Sequence, residues 1–119
     1  MATAIITGAS RGLGEALAVG LAREGWSLVI DARTPGDLSS AAERIGAASR
    51  AGALVRPVAG DVTDPRHRLE LLKAAEELGG LDLLVNSAGT LGPSPLPELS
   101  AFPIEGLRET IEANVIAPL

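Results

Sequence analysis

Short apolar runs alternate along the chain with longer segments in which apolar residues recur every three or four positions. An unbroken apolar run is typical of a strand covered on both faces, and the longer recurrence is typical of an amphipathic helix. On this pattern the sequence predicts strands at Thr3–Thr7, Trp26–Asp31, Leu54–Val58 and Leu81–Val85. It predicts helices at Glu15–Glu24, Leu38–Arg50, Arg66–Leu78 and from Ile104 through Val115. Strands that alternate with helices favour a parallel sheet with right-handed crossovers.

Prolines and glycines refine this prediction. Asp64 and Pro65 form a strong helix start, because an acceptor at the N-cap and a proline in the first turn are both favoured there. Pro57 favours an edge position for the third strand, since proline cannot donate a ladder hydrogen bond. Gly20, inside the first helix, is interpreted as a close approach of that helix to the sheet. The proline-rich stretch Thr90–Pro103 is predicted to be a loop.

The helical spacing also predicts which side chains face the core. In the first helix these are Leu13, Leu17 and Leu21, with Ala16 and Ala22 beside them. In the second helix they are Leu38, Ala41, Ala42 and Ile45. In the third helix they are Leu69, Leu72, Ala75 and Leu78.

A glycine-rich stretch, Thr7 to Gly14, joins the first strand to the first helix. The first turn of a helix has backbone N–H groups without intrahelical partners, and the helix macrodipole adds partial positive charge there. Glycines allow positive φ and let a pyrophosphate approach without a Cβ in the way. The spacing is Gly-x-x-x-Gly-x-Gly rather than Gly-x-Gly-x-x-Gly. The turn alone therefore leaves two interpretations open, a phosphate-binding turn and a tight turn with no ligand.

Composition narrows the class of protein. With 119 residues, 46% of them apolar and 21% charged, the chain matches one modest globular domain. The net charge of −5 and the scarcity of aromatic residues argue against a nucleic-acid partner. The absence of cysteine excludes disulfides and thiolate metal sites, and we expect no metal. The N-terminus lacks a leader pattern and no apolar stretch reaches membrane-spanning length, so the expectation is a soluble cytoplasmic protein with no membrane partner.

Charged residues follow the second strand, where a dinucleotide fold meets the adenosine ribose. The guanidinium of Arg33 suits a ribose 2′-phosphate, whereas an acidic group there suits a 2′-hydroxyl. Asp31 is also near, so the assignment depends on whether the strand extends to Ala32. With Arg11 as a second positive charge in the glycine turn, the pair favours NADP(H) over NAD(H). The alternative is that both arginines are solvated surface residues.

The turns after the third and fourth strands carry further candidates. Asp61 and Val62 come at the right place for contact with adenine, or alternatively Asp61 only shapes the turn. Asn86 could fasten the fourth strand to its neighbour, while Ala88 and Gly89 leave space for a flat ligand ring; as bare residues all three are turn formers. All these turns lie at the carboxyl ends of strands, where open α/β sheets bind ligands.

Together these motifs resemble the N-terminal half of a short-chain dehydrogenase/reductase, along the whole chain. The resemblance is carried by Thr7–Gly14, Asp61-Val62, Asn86–Gly89 and Asn114 in Glu112-Ala113-Asn114-Val115. It implies a Rossmann-like doubly wound parallel sheet, truncated after about four strands, with residues 1–119 as the N-terminal part of an NAD(P)-binding domain. It implies cofactor contacts from Gly8, Ser10, Arg11, Gly12, Leu13, Gly14, Arg33, Asp61, Val62, Asn86, Ala88 and Gly89. NADP is expected rather than NAD, since Arg11 and Arg33 match basic positions of NADP-preferring members.

The chain departs from the family where the family performs proton transfer. Family members use a serine, a tyrosine and a lysine, the last two as Tyr-x-x-x-Lys, and an asparagine that holds a water in a proton relay. Only that asparagine has a counterpart, Asn114, because the sequence has no tyrosine and its one lysine, Lys73, lies in another segment. Ser87 stands where the family usually has a second asparagine. His67 is far from the expected nicotinamide and is predicted to be a surface histidine.

Three functions stay open on the sequence. The first is an NADP(H)-dependent oxidoreductase acting on a small carbonyl or alcohol substrate, with this chain as the cofactor-binding half and inactive alone. The second is a non-catalytic dinucleotide-binding or regulatory Rossmann module, which explains the missing tyrosine but not Asn114. The third is an assembly piece, in which the apolar stripe of the Ile104–Val115 helix and the open edge of the fourth strand drive dimerisation. The family commonly uses the same helix in a dimer interface, so the resemblance implies a homo-oligomer, a dimer or tetramer.

Overall fold

A computed structural model of the chain describes residues 2–50, 52–89, 101 and 103–119. The strands are β1 (Thr3–Ile6), β2 (Ser27–Ala32), β3 (Val55–Ala59) and β4 (Leu83–Val85). The helices are α1 (Gly12–Arg23), α2 (Pro35–Ala48), α3 (Pro65–Glu77) and α4 (Ile104–Ile111), and α4 continues into a π-helical segment, Glu112–Ile116. The loop predicted at Thr90–Pro103 lies mostly outside the described residues. Across the part of the chain that is described, every helix falls short of the length and apolarity of a membrane span.

The four strands form one parallel sheet in the order β3-β2-β1-β4. In register, Ile5 of β1 lies between Val29 of β2 and Leu84 of β4. The chain builds outward from β1 to β3 and then returns to the other side of β1, so the order reverses between β1 and β4. Ligands of open α/β sheets bind at such a reversal, beyond the carboxyl ends of the strands. Within the described sheet β3 is an edge strand, which confirms the prediction from Pro57.

Helices cover both faces of this sheet, which confirms the doubly wound prediction. On one face α1 and α2 pack against β1 and β2 through a cluster that includes Ala4, Ile6, Ala18, Ala22, Leu28, Ile30, Leu38, Ala41 and Ile45. On the other face α3 packs through Ile5, Val29, Leu71, Ala74 and Ala75. A buried Leu, Ile or Val side chain contributes about 1.5–3 kcal/mol relative to leaving it exposed. The carboxyl ends of β1 and β2 are therefore held by packing on both sides.

Two helix starts differ from the prediction, because residues at a helix start carry no apolar signal. α2 begins at Pro35, before the predicted Leu38, whereas α3 begins at Pro65 with Asp64 as its N-cap, which confirms the helix start predicted there. Proline is favoured in the first turn, where its missing N–H has no intrahelical partner to lose. α1 likewise begins at Gly12, inside the glycine-rich stretch. The glycine stretch therefore contains the first turn of α1 itself.

The predicted buried face of α1 is wrong in part. Its buried residues are Gly14, Ala18 and the predicted Ala22, whereas the predicted Leu13 is 71% exposed and Leu17 is 38% exposed. Because small side chains let the backbone of α1 lie close to the sheet and to α2, the helix buries Ala18 and Ala22 and leaves Leu13 and Leu17 exposed. Leu21 is partly buried beside the core.

The predicted buried face of α3 is also wrong in part. Leu69 and Leu72 are exposed, while Leu71 and Ala74 are buried together with the predicted Ala75. The helix has two adjacent apolar rows, and the fixed start at Asp64 and Pro65 decides which row meets the sheet. In α2, by contrast, Leu38, Ala41 and Ile45 are buried as predicted.

Gly20 does not mark a close approach of α1 to the sheet. It is exposed, and a Cβ at this position would meet no atom within 4 Å. We therefore predict that Gly20→Ala raises the free energy of unfolding by about 0.5–1 kcal/mol, because alanine restricts the unfolded chain and favours the helix. Urea unfolding followed by circular dichroism measures this.

Gly14→Ala is the matched control in the same helix. A Cβ on Gly14 would lie 2.2 Å from the carbonyl oxygen of Gly8, so this variant should lose stability. A destabilised Gly20→Ala, or a Gly14→Ala as stable as the unmodified chain, would contradict the observed packing of α1.

Candidate functional site

The turn between β1 and α1 is shaped by glycines that no other residue could replace without strain. Gly8 and Gly12 have φ of 64° and 61°, in the left-handed region. A Cβ on Gly8 would lie 2.7 Å from Cα of Ala88, so the turn passes directly beside the segment that follows β4. A Cβ on Gly14 would likewise clash with the carbonyl oxygen of Gly8, at 2.2 Å. The turn is therefore pressed between the first turn of α1 and the end of β4.

The start of α1 has unpaired backbone donors. The N–H groups of Gly12, Leu13 and Gly14 occupy the first three helical positions, where no intrahelical acceptor exists. The N-cap is Arg11, which is extended and makes no side-chain capping bond within the described part of the chain. The amides of Gly8 and Ala9 are used differently, since both bond to Asp31. The donors left for a ligand are therefore those of the helix start, where the macrodipole favours an anion.

Thr7 fastens the end of β4 to the end of β1. Its hydroxyl oxygen accepts from the amides of Ser87 and Ala88 at 3.0 and 3.1 Å, and the hydroxyl donates to the Val85 carbonyl at 3.4 Å. Thr7 N–H donates to the same carbonyl at 3.0 Å. A threonine hydroxyl has one proton and two lone pairs, so all of its hydrogen-bonding capacity is used here. This holds the segment after β4 beside the glycine turn.

Asp31 and His67 form a buried pair below the turn. Asp31 is 2% exposed and His67 is 4% exposed, and His67 Nε2 lies 2.7 Å from Asp31 Oδ2. The other carboxylate oxygen accepts from Gly8 N–H at 2.7 Å. The prediction of a surface histidine is therefore wrong: α3 presents His67 to the sheet, where a carboxylate gives it a hydrogen-bond partner. β2 extends through Ala32, so Asp31 is turned toward the core and Arg33 follows the strand.

These elements enclose a cavity of about 590 Å³ at the carboxyl ends of the strands. Most of the residues predicted to contact a cofactor line it, namely Gly8, Ser10, Arg11, Gly12, Leu13, Gly14, Arg33, Val62, Ala88 and Gly89. It is also lined by Asp31, Ala32, Thr34, Asp37, Gly60 and Ser87. The volume lies within the range of small-molecule sites, about 300–1,000 Å³. The cavity thus joins unpaired amides, two exposed arginines and a small-residue wall.

Asp61 and Asn86 lie outside the cavity lining. Asp61 Oδ1 accepts from Thr63 N–H at 2.9 Å and from the Thr63 hydroxyl at 2.8 Å. The Thr63 amide holds the pKa of Asp61 below its usual value; partial burial opposes this shift, and the Thr63 hydroxyl and Arg33 support it. The Asp61 carboxylate therefore shapes the turn after β3, and its contact with adenine stays a prediction. Asn86 is exposed, and its predicted cofactor contact likewise stays a prediction.

Asn114 lies beside the wall of the cavity. A Cβ on Gly89 would be 3.0 Å from Asn114 Oδ1, a tight contact that would require the amide to shift by a few tenths of an ångström. Asn114 belongs to the π-helical segment that continues α4. Single π turns inside α-helices frequently occur at functional sites. The structure thus brings Asn114 next to one of the predicted cofactor residues, although they are far apart in sequence.

Arg44 braces the turn from outside the cavity. Its guanidinium bonds both carboxylate oxygens of Glu15 at 2.8 and 2.9 Å and reaches the Ser10 carbonyl at 3.5 Å. The Arg44 hydrogen bond lowers the pKa of Glu15. A two-point contact of this kind fixes orientation as well as charge. Arg44 pairs with Glu15 outside the cavity. Among the residues that line the cavity, the cationic side chains are those of Arg11 and Arg33.

The geometry fits a dinucleotide diphosphate. The helix start presents amides without partners, the adjoining glycines leave the backbone accessible, and the cavity spans the ends of β1, β2 and β4. Comparison with known families decides the class of protein: the family described as short chain dehydrogenase matches residues 2–119. The chain belongs to the short-chain dehydrogenase family.

Similar proteins agree with this membership. The chain is 48% identical over 88 residues to hydroxyacyl-CoA dehydrogenase ChsB1 of Mycobacterium tuberculosis, covering 72% of this chain and 28% of that protein. It is similar in structure to an alcohol dehydrogenase of the archaeon Thermococcus sibiricus complexed with 5-hydroxy-NADP, with a TM-score of 0.82 and 36% identity, covering 98% of this chain and 48% of the other. It is also similar to L-sorbose reductase of Gluconobacter frateurii complexed with NADPH and L-sorbose, with a TM-score of 0.84 and 34% identity, covering 98% and 43%. The chain spans less than half of the length of each of these short-chain dehydrogenase relatives.

Sequence reasoning missed several residues that build the site. Thr7 belongs to the glycine-rich stretch, but the three hydrogen bonds of its hydroxyl require β4 to lie beside β1. Only the strand order reveals that β4 is this neighbour. The pairing of Asp31 with His67 joins residues 36 positions apart. One signal was present: an acidic residue within an apolar strand requires a buried partner, and a histidine is one of the few candidates.

We predict that Thr7→Val lowers the free energy of unfolding by about 1–3 kcal/mol, because the amides of Ser87 and Ala88 lose their acceptor while side-chain volume is kept. Thr7→Ser keeps the hydroxyl and serves as the matched control. Urea unfolding of both variants measures the difference. Equal stability of the two variants would show that the hydroxyl does not hold the segment after β4.

Proposed function

We propose that this chain forms the N-terminal, cofactor-binding half of an NADP(H)-dependent oxidoreductase. The enzyme transfers hydride between the nicotinamide and the carbonyl or alcohol carbon of a small substrate, and the bound cofactor supplies that chemistry. The observation that carries the proposal is the set of unpaired amides at Gly12, Leu13 and Gly14, opening into a cavity at the strand-order reversal. In this proposal residues 1–119 are the first part of a single NAD(P)-binding domain.

The cavity suggests an orientation for the cofactor. The diphosphate lies over the start of α1, because that end concentrates the unpaired donors and the positive end of the helix dipole. Toward β3 the adenine reaches Val62 and the turn that Asp61 shapes. Toward β4 the ribose and nicotinamide pass along Ala88 and Gly89, where small residues leave room for a flat ring. Asn86 is assigned to the same end.

The charge distribution around β2 favours NADP over NAD. Ala32, the last residue of the strand, carries no carboxylate, and both carboxylate oxygens of Asp31 are already hydrogen-bonded, one to Gly8 N–H and the other to His67. Arg33 and Arg11 both line the cavity and are exposed to solvent. A guanidinium matches phosphate geometry, so the two arginines suit a 2′-phosphate. The Gluconobacter reductase complexed with NADPH and the Thermococcus enzyme complexed with 5-hydroxy-NADP support this assignment.

The proposed catalytic role of this segment is limited to Asn114. By its position beside Gly89 it would hold a water of the proton relay close to the nicotinamide end. The residues that exchange a proton with the substrate oxygen in this family include a tyrosine, and this sequence has none. We therefore propose that the 119-residue segment by itself binds cofactor but does not turn substrate over. A cytoplasmic location and a homo-oligomeric state stay predictions.

A non-catalytic dinucleotide-binding module is the second candidate function. Such a module needs no tyrosine, and these 119 residues contain none, whereas the placement of Asn114 against Gly89 supports the oxidoreductase. Turnover assays on the intact polypeptide separate the two, because a regulatory module would bind the cofactor without oxidising or reducing any carbonyl or alcohol substrate.

We predict that the protein binds NADPH at least tenfold more tightly than NADH, and that Arg33→Ala removes most of this preference. The physical reason is the loss of a charge-assisted hydrogen bond to the 2′-phosphate, for which a tenfold change in affinity equals about 1.4 kcal/mol. Fluorescence titration with each reduced cofactor measures the ratio of the two dissociation constants.

Arg23→Ala is the control for this experiment. Arg23 is an exposed arginine in the last turn of α1 and does not line the cavity, so its removal should leave the ratio unchanged. Equal affinities for NADPH and NADH in the unmodified protein would refute the assignment of Arg11 and Arg33 to a 2′-phosphate.

A further inference from the structure

A buried side-chain pair below the cavity connects α3 to the glycine turn. Asp31 and His67 are both at least nine-tenths buried, and neither belongs to the apolar clusters that hold the helices on the sheet. An ionisable pair in a core is weak evidence for stability, because desolvation offsets much of the attraction between its members. The position of the Asp31–His67 pair suggests a different role, because Asp31 is hydrogen-bonded to the glycine turn that leads into the unpaired amides of α1.

Residue 31 fixes the first half of that turn. Asp31 Oδ1 accepts from Gly8 N–H at 2.7 Å, and the Asp31 carbonyl accepts from Ala9 N–H at 2.9 Å. With these two amides committed inward, the chain reverses at Gly8 with positive φ and enters α1 at Gly12. The direction in which the amides of the helix start point therefore depends on the position of Asp31.

His67 in turn fixes the Asp31 carboxylate. Its Nε2 lies 2.7 Å from Oδ2, so the two carboxylate oxygens are held by two different elements, the glycine turn and α3. We assign the proton to Nε2, because the carboxylate oxygen is an acceptor. Nδ1 is buried with no hydrogen-bond partner among the described residues, so this ring serves Asp31 alone.

The ring of His67 packs directly against Gly60. A Cβ on Gly60 would lie 2.3 Å from Nδ1 and 2.7 Å from Cγ of His67, so any larger residue would displace the ring. α3 itself is fixed by its N-cap, where Asp64 Oδ1 accepts from Arg66 N–H at 2.9 Å. Gly60 and the N-cap of α3 therefore fix the position and orientation of the His67 ring, independently of its contact with Asp31.

We propose that His67 is a positioning residue for the diphosphate site. Acting through Asp31, it holds the Gly8 peptide in the orientation that leaves the amides of Gly12, Leu13 and Gly14 facing the cavity. The identity of the anion as a dinucleotide diphosphate rests on the proposed function, whereas the effect of His67 on the turn does not. Without the ring, the buried carboxylate keeps one donor only and must shift toward water, taking the Gly8 peptide with it.

The test compares three variants of the intact polypeptide. His67→Leu removes the donor to Asp31, and His67→Gln retains an N–H donor at a similar reach. Leu71→Ala removes a buried side chain one turn further along α3, so it loosens the packing of the helix without touching Asp31. Hydrogen exchange of residues 7–14 without cofactor, and the dissociation constant for NADP⁺, are measured on each.

We expect His67→Leu to speed exchange of residues 7–14 and to weaken NADP⁺ binding about tenfold or more, the change that follows from losing a buried hydrogen bond to a charged group. His67→Gln should recover most of both losses. Leu71→Ala should lower the unfolding midpoint while leaving the exchange of residues 7–14 and NADP⁺ affinity within about twofold of the unmodified protein. Should His67→Leu fail to fold, Gly60→Ala provides the hydrogen-exchange test, because its Cβ displaces the ring without removing it; Gly60 itself lines the cavity, so NADP⁺ affinity is not compared for this variant.

Equal effects of His67→Leu and Leu71→Ala on exchange and affinity would overturn the proposal, since both would then act through stability. Unchanged exchange of the turn in both His67→Leu and Gly60→Ala would also overturn it. If exchange responds as expected but the unmodified protein binds no NADP⁺ or NAD⁺, the positioning role holds and the proposed function fails.

Discussion

The structure depends on one constraint: the backbone amides at the start of α1 have no partners inside the helix. A helix start without acceptors must find them in side chains, water or a ligand. Here the N-cap residue is Arg11, whose side chain offers no acceptor, and the exposed Gly12 places no Cβ beside these amides. The local sequence therefore leaves these donors without a protein partner among the described residues, which is the basis of the proposed diphosphate site, and the surrounding fold holds them in place.

The surrounding elements act as anchors on this one turn. Thr7 ties it to the end of β4, Asp31 ties it to β2, and Arg44 braces its outer side through Glu15. Each anchor reaches the turn from a different neighbouring element, which is possible because β1 is an inner strand of a parallel sheet. Parallel order brings the carboxyl ends of all strands to one edge. Catalytic and binding groups can then be contributed from distant parts of the sequence while the packed core holds them still.

Much of the fold could be predicted from the sequence, because its signals are local. Short, mostly apolar runs marked all four strands, and Pro57 indicated the edge position of β3. The glycine-rich stretch and the turns after each strand indicated most of the residues that line the cavity. The strand predictions needed only spacing and turn chemistry, whereas the full set of cofactor contacts was implied by the resemblance to the short-chain dehydrogenase/reductase family. They did not require knowledge of which side chains touch.

The failures concern contacts between distant residues. Leu13 and Leu17 were expected in the core, yet the close packing of α1 buries Ala18 beside the predicted Ala22 and leaves both leucines exposed. His67 was expected at the surface, because nothing in its own segment shows that Asp31 lies opposite. Rotation of a helix about its axis and the pairing of buried polar groups are set by tertiary packing, so periodicity alone does not determine them.

The central claim is that the amides at the start of α1 receive the diphosphate. The most direct measurement is the change in backbone ¹H–¹⁵N chemical shifts when NADP⁺ is added to the intact, isotope-labelled protein. The account predicts that the largest changes fall on Gly12, Leu13 and Gly14, with smaller ones at Arg33 and Val62. Changes concentrated on α4, with the amides of residues 10–14 unmoved, would contradict it.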